Sequence, residues 1–306
     1  MTEQEIAGGR FVRQANRFTE EITADGSSGL RAEPGRYRLL VCYACPWAQR
    51  TLIVRRLLGL EDAISVGVVD PIRDERGWRF PGGDPVTGAE FISELYLAAD
   101  PSFEGRYTVP CVWDSVTGRL VTNDFPRITL MMETEFAAFH APGAPDLYPE
   151  KLRPEIDALN ELVYATVNNG VYKAGIATEQ AVYEEAVDAL FATLDRLEER
   201  LAGRRYLLGD AITEADVRLY PTLARFDAVY HGHFKCNLRR LVDYPNLWDY
   251  ARDLYSHPAF GGTTDFDQIK RHYYMTHPAI NPSRVVPKGP IVDWTAPHGR
   301  PLPSDV

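Results

Sequence analysis

Tyr37-Arg-Leu-Leu-Val-Cys-Tyr-Ala-Cys-Pro-Trp-Ala48 is the stretch that decides how this chain folds. Its first five residues are an apolar run of the length and composition of a buried strand. Pro46 suits a first helical turn, where its missing N–H is not needed and its φ is already helical. Cys45 therefore stands at the junction between a strand and a helix. Amides at a helix start have no intrahelical partner and carry the positive end of the helix dipole, so a thiol placed there is expected to act as a thiolate nucleophile. Beyond it, Leu52, Val54, Leu57 and Leu58 give the helix an apolar face interrupted by Arg50, Arg55 and Arg56, with an end expected near Gly59. Residues 63–69 are β-rich and read as a second strand, so the unit opens β-α-β with parallel strands.

Upstream, residues 1–35 are polar and Gly-rich, and read as an extension that arrives at the first strand. Downstream, after a Gly/Pro-rich insertion, Thr108-Val-Pro-Cys-Val-Trp113 and Leu120-Val-Thr122 read as a hairpin turning at Thr117-Gly118, with a helix from Ile128. His140-Ala-Pro-Gly-Ala-Pro-Asp146 has the composition of a linker, and past it the apolar period becomes helical. Leu190, Leu194, Leu197 and Leu201 mark an amphipathic helix that stops at Gly203. Thr213-Glu-Ala-Asp216 is a capping box, with Ile212 and Val217 at the two hydrophobic-staple positions. From Pro278 the chain is rich in Pro and Gly and reads as an extended arm.

A length of 306 residues with 45% hydrophobic and 25% charged residues suits two globular cores. The formal net charge of -10 disfavours a nucleic-acid surface, which needs clustered cations; the Arg239-Arg240 pair is too small to supply one. The start, Met1-Thr-Glu-Gln-Glu, has no signal-peptide pattern and no apolar run is long enough to span a bilayer, so the expectation is a soluble, cytoplasmic protein with no membrane partner. Four cysteines, Cys42, Cys45, Cys111 and Cys236, are too few for a secreted disulfide framework, which leaves redox or nucleophilic roles.

Cys42 and Cys45 form a C-x-x-C pattern, but a thioredoxin-type dithiol has its second cysteine inside the first helical turn. Here Cys45 precedes the helix and Cys42 falls on the strand side, so Cys45 acts without a resolving partner in this reading. Cys111, beside Pro110, reads as a core residue. His231-Gly-His233 with Cys236 lacks a partner pair at zinc-finger spacing, so no metal is expected. The aromatic residues between Tyr220 and Tyr255 read as helical core.

Several segments together resemble one known family. Cys45-Pro-Trp-Ala48, Asn169-Gly-Val-Tyr-Lys-Ala-Gly175, Gly209-Asp210 with Thr213-Glu-Ala-Asp216, Gly232-His-Phe-Lys-Cys-Asn-Leu238 and Lys270-Arg-His-Tyr-Tyr274 look like the glutathionyl-hydroquinone reductases, the omega-like xi class of glutathione transferases. The resemblance spans residues 20–290. It implies a thioredoxin-like α/β domain followed by an all-helical domain, placed at 36–138 and 151–277. A linker would occupy 139–150, between an extension at 1–35 and a tail at 278–306. It also implies a homodimer and a reductase that cleaves thiol-conjugated hydroquinones or quinones through a mixed disulfide at Cys45, with glutathione or another low-molecular-weight thiol as cosubstrate. By carry-over onto matching positions, Tyr172 and Tyr273 are the substrate tyrosines. Trp47 and Trp78 line the site, Val109 before a cis-Pro110 pairs with the thiol's cysteine part, and Asp124 receives its ammonium group.

Two positions depart from the family pattern. Gln49 replaces a histidine, and Asp124-Phe125 replaces a Glu-Ser pair that holds the γ-glutamyl group. Phe125 has no donor for a carboxylate, so a thiol without that group, such as mycothiol, competes with glutathione as the cosubstrate. The same fold with Cys45 would also serve a thioltransferase or a biosynthetic transferase or lyase. A non-catalytic interaction module would have no use for Cys45, Tyr172 and Tyr273.

Overall fold

The computed structural model describes residues 5–300, and these pack into two compact units. One unit comprises Gln14–Asp146 together with Asp267–Thr276; the other comprises the residues up to Arg13, Leu147–Phe266 and the residues from His277. The units therefore differ from the contiguous domains drawn on the sequence. Part of the expected extension belongs to the helical unit, and a late helical segment belongs to the first unit.

The described residues open on a two-stranded antiparallel hairpin, β1 (Ile6–Ala7) and β2 (Arg10–Phe11), within the helical unit. The other unit is built on β3 (Tyr37–Val41), α1 (Pro46–Leu57), β4 (Ile64–Val68), α2 (Ile92–Ala99), β5 (Cys111–Asp114), β6 (Arg119–Thr122) and α3 (Phe125–Thr134). Its sheet runs β4-β3-β5-β6. β3 lies parallel to β4 and antiparallel to β5, which pairs antiparallel with β6. This is a thioredoxin-like arrangement, and all five residues of β3 are buried: Tyr37, Leu39, Leu40 and Val41 as the sheet's core requires, and Arg38 through its ion pair with Asp84 at 2.6 Å.

The apolar face expected of α1 proves too narrow a description, because every residue of the helix except Arg55 and Arg56 is buried. Arg55 is accommodated by donating to the carbonyls of Ile64 (2.6 Å) and Glu61 (2.8 Å), tying the helix end to the next strand. Gly59 then reverses the chain at φ +66, where a Cβ would meet that of Ala141 at 2.4 Å. α3 starts at Phe125, ahead of the Ile128 expected, because Pro126 sits in its first turn and Asp124 takes the capping position.

The helical unit contains α4 (Arg153–Val163), α5 (Gly170–Ile176), α6 (Gln180–Leu201), α7 (Glu214–Arg225), α8 (Pro245–Ser256) and α9 (Pro258–Gly261). After them α10 (Phe266–Thr276) carries Asp267–Thr276 back to the first unit. Leu190, Leu194, Leu197 and Leu201 are all buried on α6. The capping box at Thr213 forms, and its carboxylate does more than cap. Asp216 also accepts from the Leu207 amide at 3.0 Å and the Tyr250 hydroxyl at 2.8 Å. Burial pushes that carboxyl up while these donors oppose the shift. The tail lies along the helical unit, with Trp294 at 4.8 Å from Trp248 and Arg300 donating to the Leu201 carbonyl at 2.8 Å. Among the described residues no helix is long and apolar enough to cross a membrane.

Candidate active site

Cys45 is the capping residue of α1, extended at φ -80 and ψ 120 directly before Pro46. Its amide donates to the Cys42 carbonyl at 3.0 Å, so the C-x-x-C segment closes as a turn, and its carbonyl receives the Gln49 amide at 3.0 Å. The thiol points to the Val109 carbonyl, Sγ to O 3.2 Å. Val109–Pro110 is a cis peptide, as the resemblance implies. Cys45 keeps 7% of its surface exposed whereas Cys42, Cys111 and Cys236 keep none, which makes Cys45 the reachable thiol of the four. Burial pushes the Cys111 and Cys236 thiols up, with Lys235 opposing at Cys236, so both are held in the inert form.

Trp47 follows in the first turn of α1. The Arg50 guanidinium folds back to 4.6 Å from its ring, and the Phe125 ring lies 4.6 Å away at a 42° tilt. Phe125 is thus engaged with Trp47 at the start of α3. Asp124 is half-buried beside it and accepts from Asn16 Nδ2 at 3.2 Å. Burial raises its carboxyl, against the Arg127 amide and charge and the Asn16 amide, which hold it down.

The insertion between β4 and α2 is folded around Trp78. The Trp78 carbonyl accepts from the Ile92 amide at 3.0 Å, and Arg79 on one side bridges to Phe91 and accepts from the Asp70 amide at 2.8 Å. Trp78 stacks on His272 of α10 with centroids 4.9 Å apart at 22°. His272 Nδ1 lies 2.7 Å from the Pro71 carbonyl, which makes that nitrogen the donor and fixes the ring's orientation. Tyr273 follows it, 1% exposed, its ring edge-on to His272 at 5.2 Å. Cys45, Trp47, Trp78, Val109, Pro110, Asp124 and Tyr273 therefore all belong to the thioredoxin-like unit.

Tyr172 belongs to the helical unit, on α5. The chain reaches α5 through a π turn, Tyr164–Asn168, whose wider pitch disturbs the helical hydrogen-bond ladder. Side chains serve the carbonyls there: Thr166 donates to Leu162 at 2.7 Å and Lys173 Nζ to Ala165 at 2.9 Å, while Asn168 Nδ2 reaches Thr222 Oγ1 at 2.8 Å. Tyr172 sits among rings, with Phe234 at 5.4 Å, Tyr230 at 6.0 Å and Phe11 at 6.2 Å, and the Arg13 guanidinium 4.9 Å from its centroid. Gly175 has to be glycine here, since a Cβ would stand 2.2 Å from Phe234 Cγ. The segments 169–175 and 232–238 thus interlock. His233 Nε2 pairs with His277 Nδ1 at 3.2 Å, and among the described residues no group of three His, Cys, Asp or Glu is placed to hold a metal.

The family models for the glutathione S-transferase N-terminal and C-terminal domains match residues 44–135 and 180–253. Glutathionyl-hydroquinone reductase PcpF of Sphingobium chlorophenolicum is 50% identical over 290 residues, covering 93% of this chain and 91% of that protein. The chain belongs to the glutathionyl-hydroquinone reductase family of glutathione transferases. Its fold agrees with that of the glutathione-S-transferase Xi of Phanerochaete chrysosporium, at TM-score 0.90 and 49% identity, covering 94% of this chain and 100% of that one. The glutathione-bound structure of YqjG from Escherichia coli K-12 matches at TM-score 0.88 and 48% identity, covering 92% and 96%.

Within this glutathione transferase, the sequence reading missed Phe11 and Arg13, which belong to what looked like a polar extension, and His272, quoted in a motif but given no role. Phe11 was the available signal, as an apolar residue in that segment that ends up 6% exposed.

Proposed function

We propose that this enzyme reductively cleaves thiol conjugates of hydroquinones, with Cys45 as nucleophile. The observation that carries the reading is the Cys45 thiol at the start of α1, facing the carbonyl beside the cis Val109–Pro110 bond. In the keto tautomer of the conjugate, the Cys45 thiolate attacks the conjugate's sulfur. The carbon–sulfur bond breaks, its electron pair passes into the ring as a phenolate, and a proton on that oxygen completes the hydroquinone. The enzyme is left as a mixed disulfide. A second thiol then attacks that disulfide, releases the oxidised thiol pair and restores the thiolate, so the ring gains the two electrons that the thiols lose. Tyr172 and Tyr273 are read as the donors to the ring oxygens, where a hydroxyl favours the keto form and stabilises the developing charge. Trp47, Trp78, Val109, Pro110 and Asp124 are read as the walls that hold thiol and ring.

The test is intact-mass analysis after mixing with a glutathionyl-hydroquinone. A glutathione adduct on Cys45 together with released hydroquinone supports the reading; release that persists in Cys45→Ala ends it.

Glutathione is the thiol bound in the E. coli relative and is the first cosubstrate to test. A second reading rests on Phe125, whose ring packs on Trp47 and offers no donor to an α-carboxylate. Losing a hydrogen bond to a charged group costs roughly 1.5 to 3 kcal/mol. A thiol lacking the γ-glutamyl group, such as mycothiol, escapes that loss. Phe125→Ser is expected to lower KM for glutathione by roughly tenfold to a hundredfold. An unchanged KM removes this second reading and leaves glutathione.

A further inference from the structure

Arg13 lies just past the β1–β2 hairpin, in the helical unit with Tyr172. The hairpin is tied to the helices by the Thr178 amide donating to the Gly9 carbonyl at 3.1 Å and by an Arg10–Glu185 ion pair at 2.7 Å. From there Arg13 Nε donates to Asn169 Oδ1 at 2.9 Å, and the guanidinium stands 4.9 Å from the Tyr172 ring centroid and 5.2 Å from that of Phe11. Asn169 also starts the helix that carries Tyr172, its carbonyl receiving the amides of Tyr172 at 3.1 Å and Lys173 at 2.9 Å. Lys173, the next residue, sends its ammonium to the Ala165 carbonyl instead. One asparagine thus fixes both the cation and the phenol it faces.

We propose that Arg13 is a positioning residue for Tyr172, holding its ring and stabilising the negative charge that builds on the phenol oxygen as the proton passes to the substrate's ring oxygen. This rests on the reading of Tyr172 as a proton donor. A cation over an aromatic face is attracted by the ring's electrons, and more strongly as the phenol gains charge. The bond to Asn169 and the stack with Phe11 make the arrangement directional, so the planar fork and its charge both matter.

The experiment is a double-mutant cycle on Arg13→Gln and Tyr172→Phe, following hydroquinone release and, in parallel, exchange of Cys45 with a small aliphatic disulfide. Arg13→Gln is expected to lower kcat for release about tenfold with little change in KM, while disulfide exchange continues at the wild-type rate. Arg13→Lys, which keeps the charge without the fork, is expected to recover part of the loss. The double variant should be no slower than Tyr172→Phe alone. Equal losses in both reactions would make Arg13 a fold contact, and multiplying losses in the double variant would make the two residues independent; either result overturns the inference. Full release by Arg13→Gln beside a slow Tyr172→Phe sinks this inference alone. Full release by Tyr172→Phe sinks the donor reading as well.

Discussion

The roles proposed for Tyr273 and Cys45 each rest on the surroundings of a single residue. Tyr273 is almost fully buried, its ring edge-on to a histidine whose orientation is locked on the Pro71 carbonyl, so the ring is held rather than mobile. An oriented donor at a developing oxyanion is worth on the order of a hundredfold in rate. Tyr273→Phe should therefore slow hydroquinone release by about that factor while Cys45 still exchanges with a small disulfide; equal loss in both assays would assign Tyr273 to the fold. At Cys45, partial exposure combines with a helix start, whereas burial keeps Cys111 and Cys236 protonated. Peptide mapping after brief treatment with iodoacetamide should find the label on Cys45 first, and a label arriving first on Cys42, Cys111 or Cys236 would contradict the assignment.

At the scale of elements, α5 and the segment that carries Phe234 form one block. Alanine in a helix interior is normally better than glycine by about 1 kcal/mol. At Gly175 the sign should reverse, because the added Cβ would meet Phe234 at 2.2 Å, and overpacking costs roughly 1 to 3 kcal/mol. Gly175→Ala is expected to lower the thermal midpoint by several degrees and to slow hydroquinone release by moving Phe234 against Tyr172. Gly170→Ala in the same helix, where a Cβ meets nothing within 4 Å, should be neutral or stabilising. If the two variants melt together, the interlock is not tight.

The same block carries a pH dependence. Burial, and secondarily Lys235, lowers His233 to about 4, beneath the ordinary value of 6.5. Its ring stacks on Phe234 and pairs with His277. In the unfolded chain His233 takes up a proton near its ordinary value, so its contribution to stability is complete above that value. As the pH falls from there towards about 4 the contribution is lost, by at most about 3 kcal/mol. Urea midpoints should drop on going from about pH 8 to about pH 5, and His233→Gln should flatten that slope. An unchanged slope in the variant would assign the acid sensitivity elsewhere.

At the scale of the whole molecule, the return of Asp267–Thr276 to the thioredoxin-like unit is the feature with most consequence. It brings His272 to Trp78 and seats Tyr273 in the unit that holds Cys45. Chains ending after Asp265 and after Thr276 both lose the tail, including the Trp294 contacts and His277, but only the shorter loses α10. The shorter chain should show altered Trp78 emission, a lower urea midpoint and no hydroquinone release, whereas the longer should keep its Trp78 environment. Matching emission and midpoints in the two would mean that α10 adds nothing to that unit.

The sequence by itself determined what short-range chemistry can specify. The strand before Cys45, the proline that opens α1, the hairpin of β5 and β6, the leucine face of α6 and the capping box at Thr213 are each written within a few residues, because strand and helix periods and cap bonds act over that range. The place of Cys45 at the start of α1, on which its proposed role as nucleophile rests, was legible for the same reason. Only the tertiary structure decided that α1 is buried nearly all round, that the β1–β2 hairpin carries Phe11 and Arg13 to Tyr172, that Gly175 makes room for Phe234, and that α10 crosses to the other unit. Each of these joins segments far apart in the chain through stacking or close packing, and such contacts leave no periodic trace in either partner's sequence, since they depend on where the backbone brings two surfaces together.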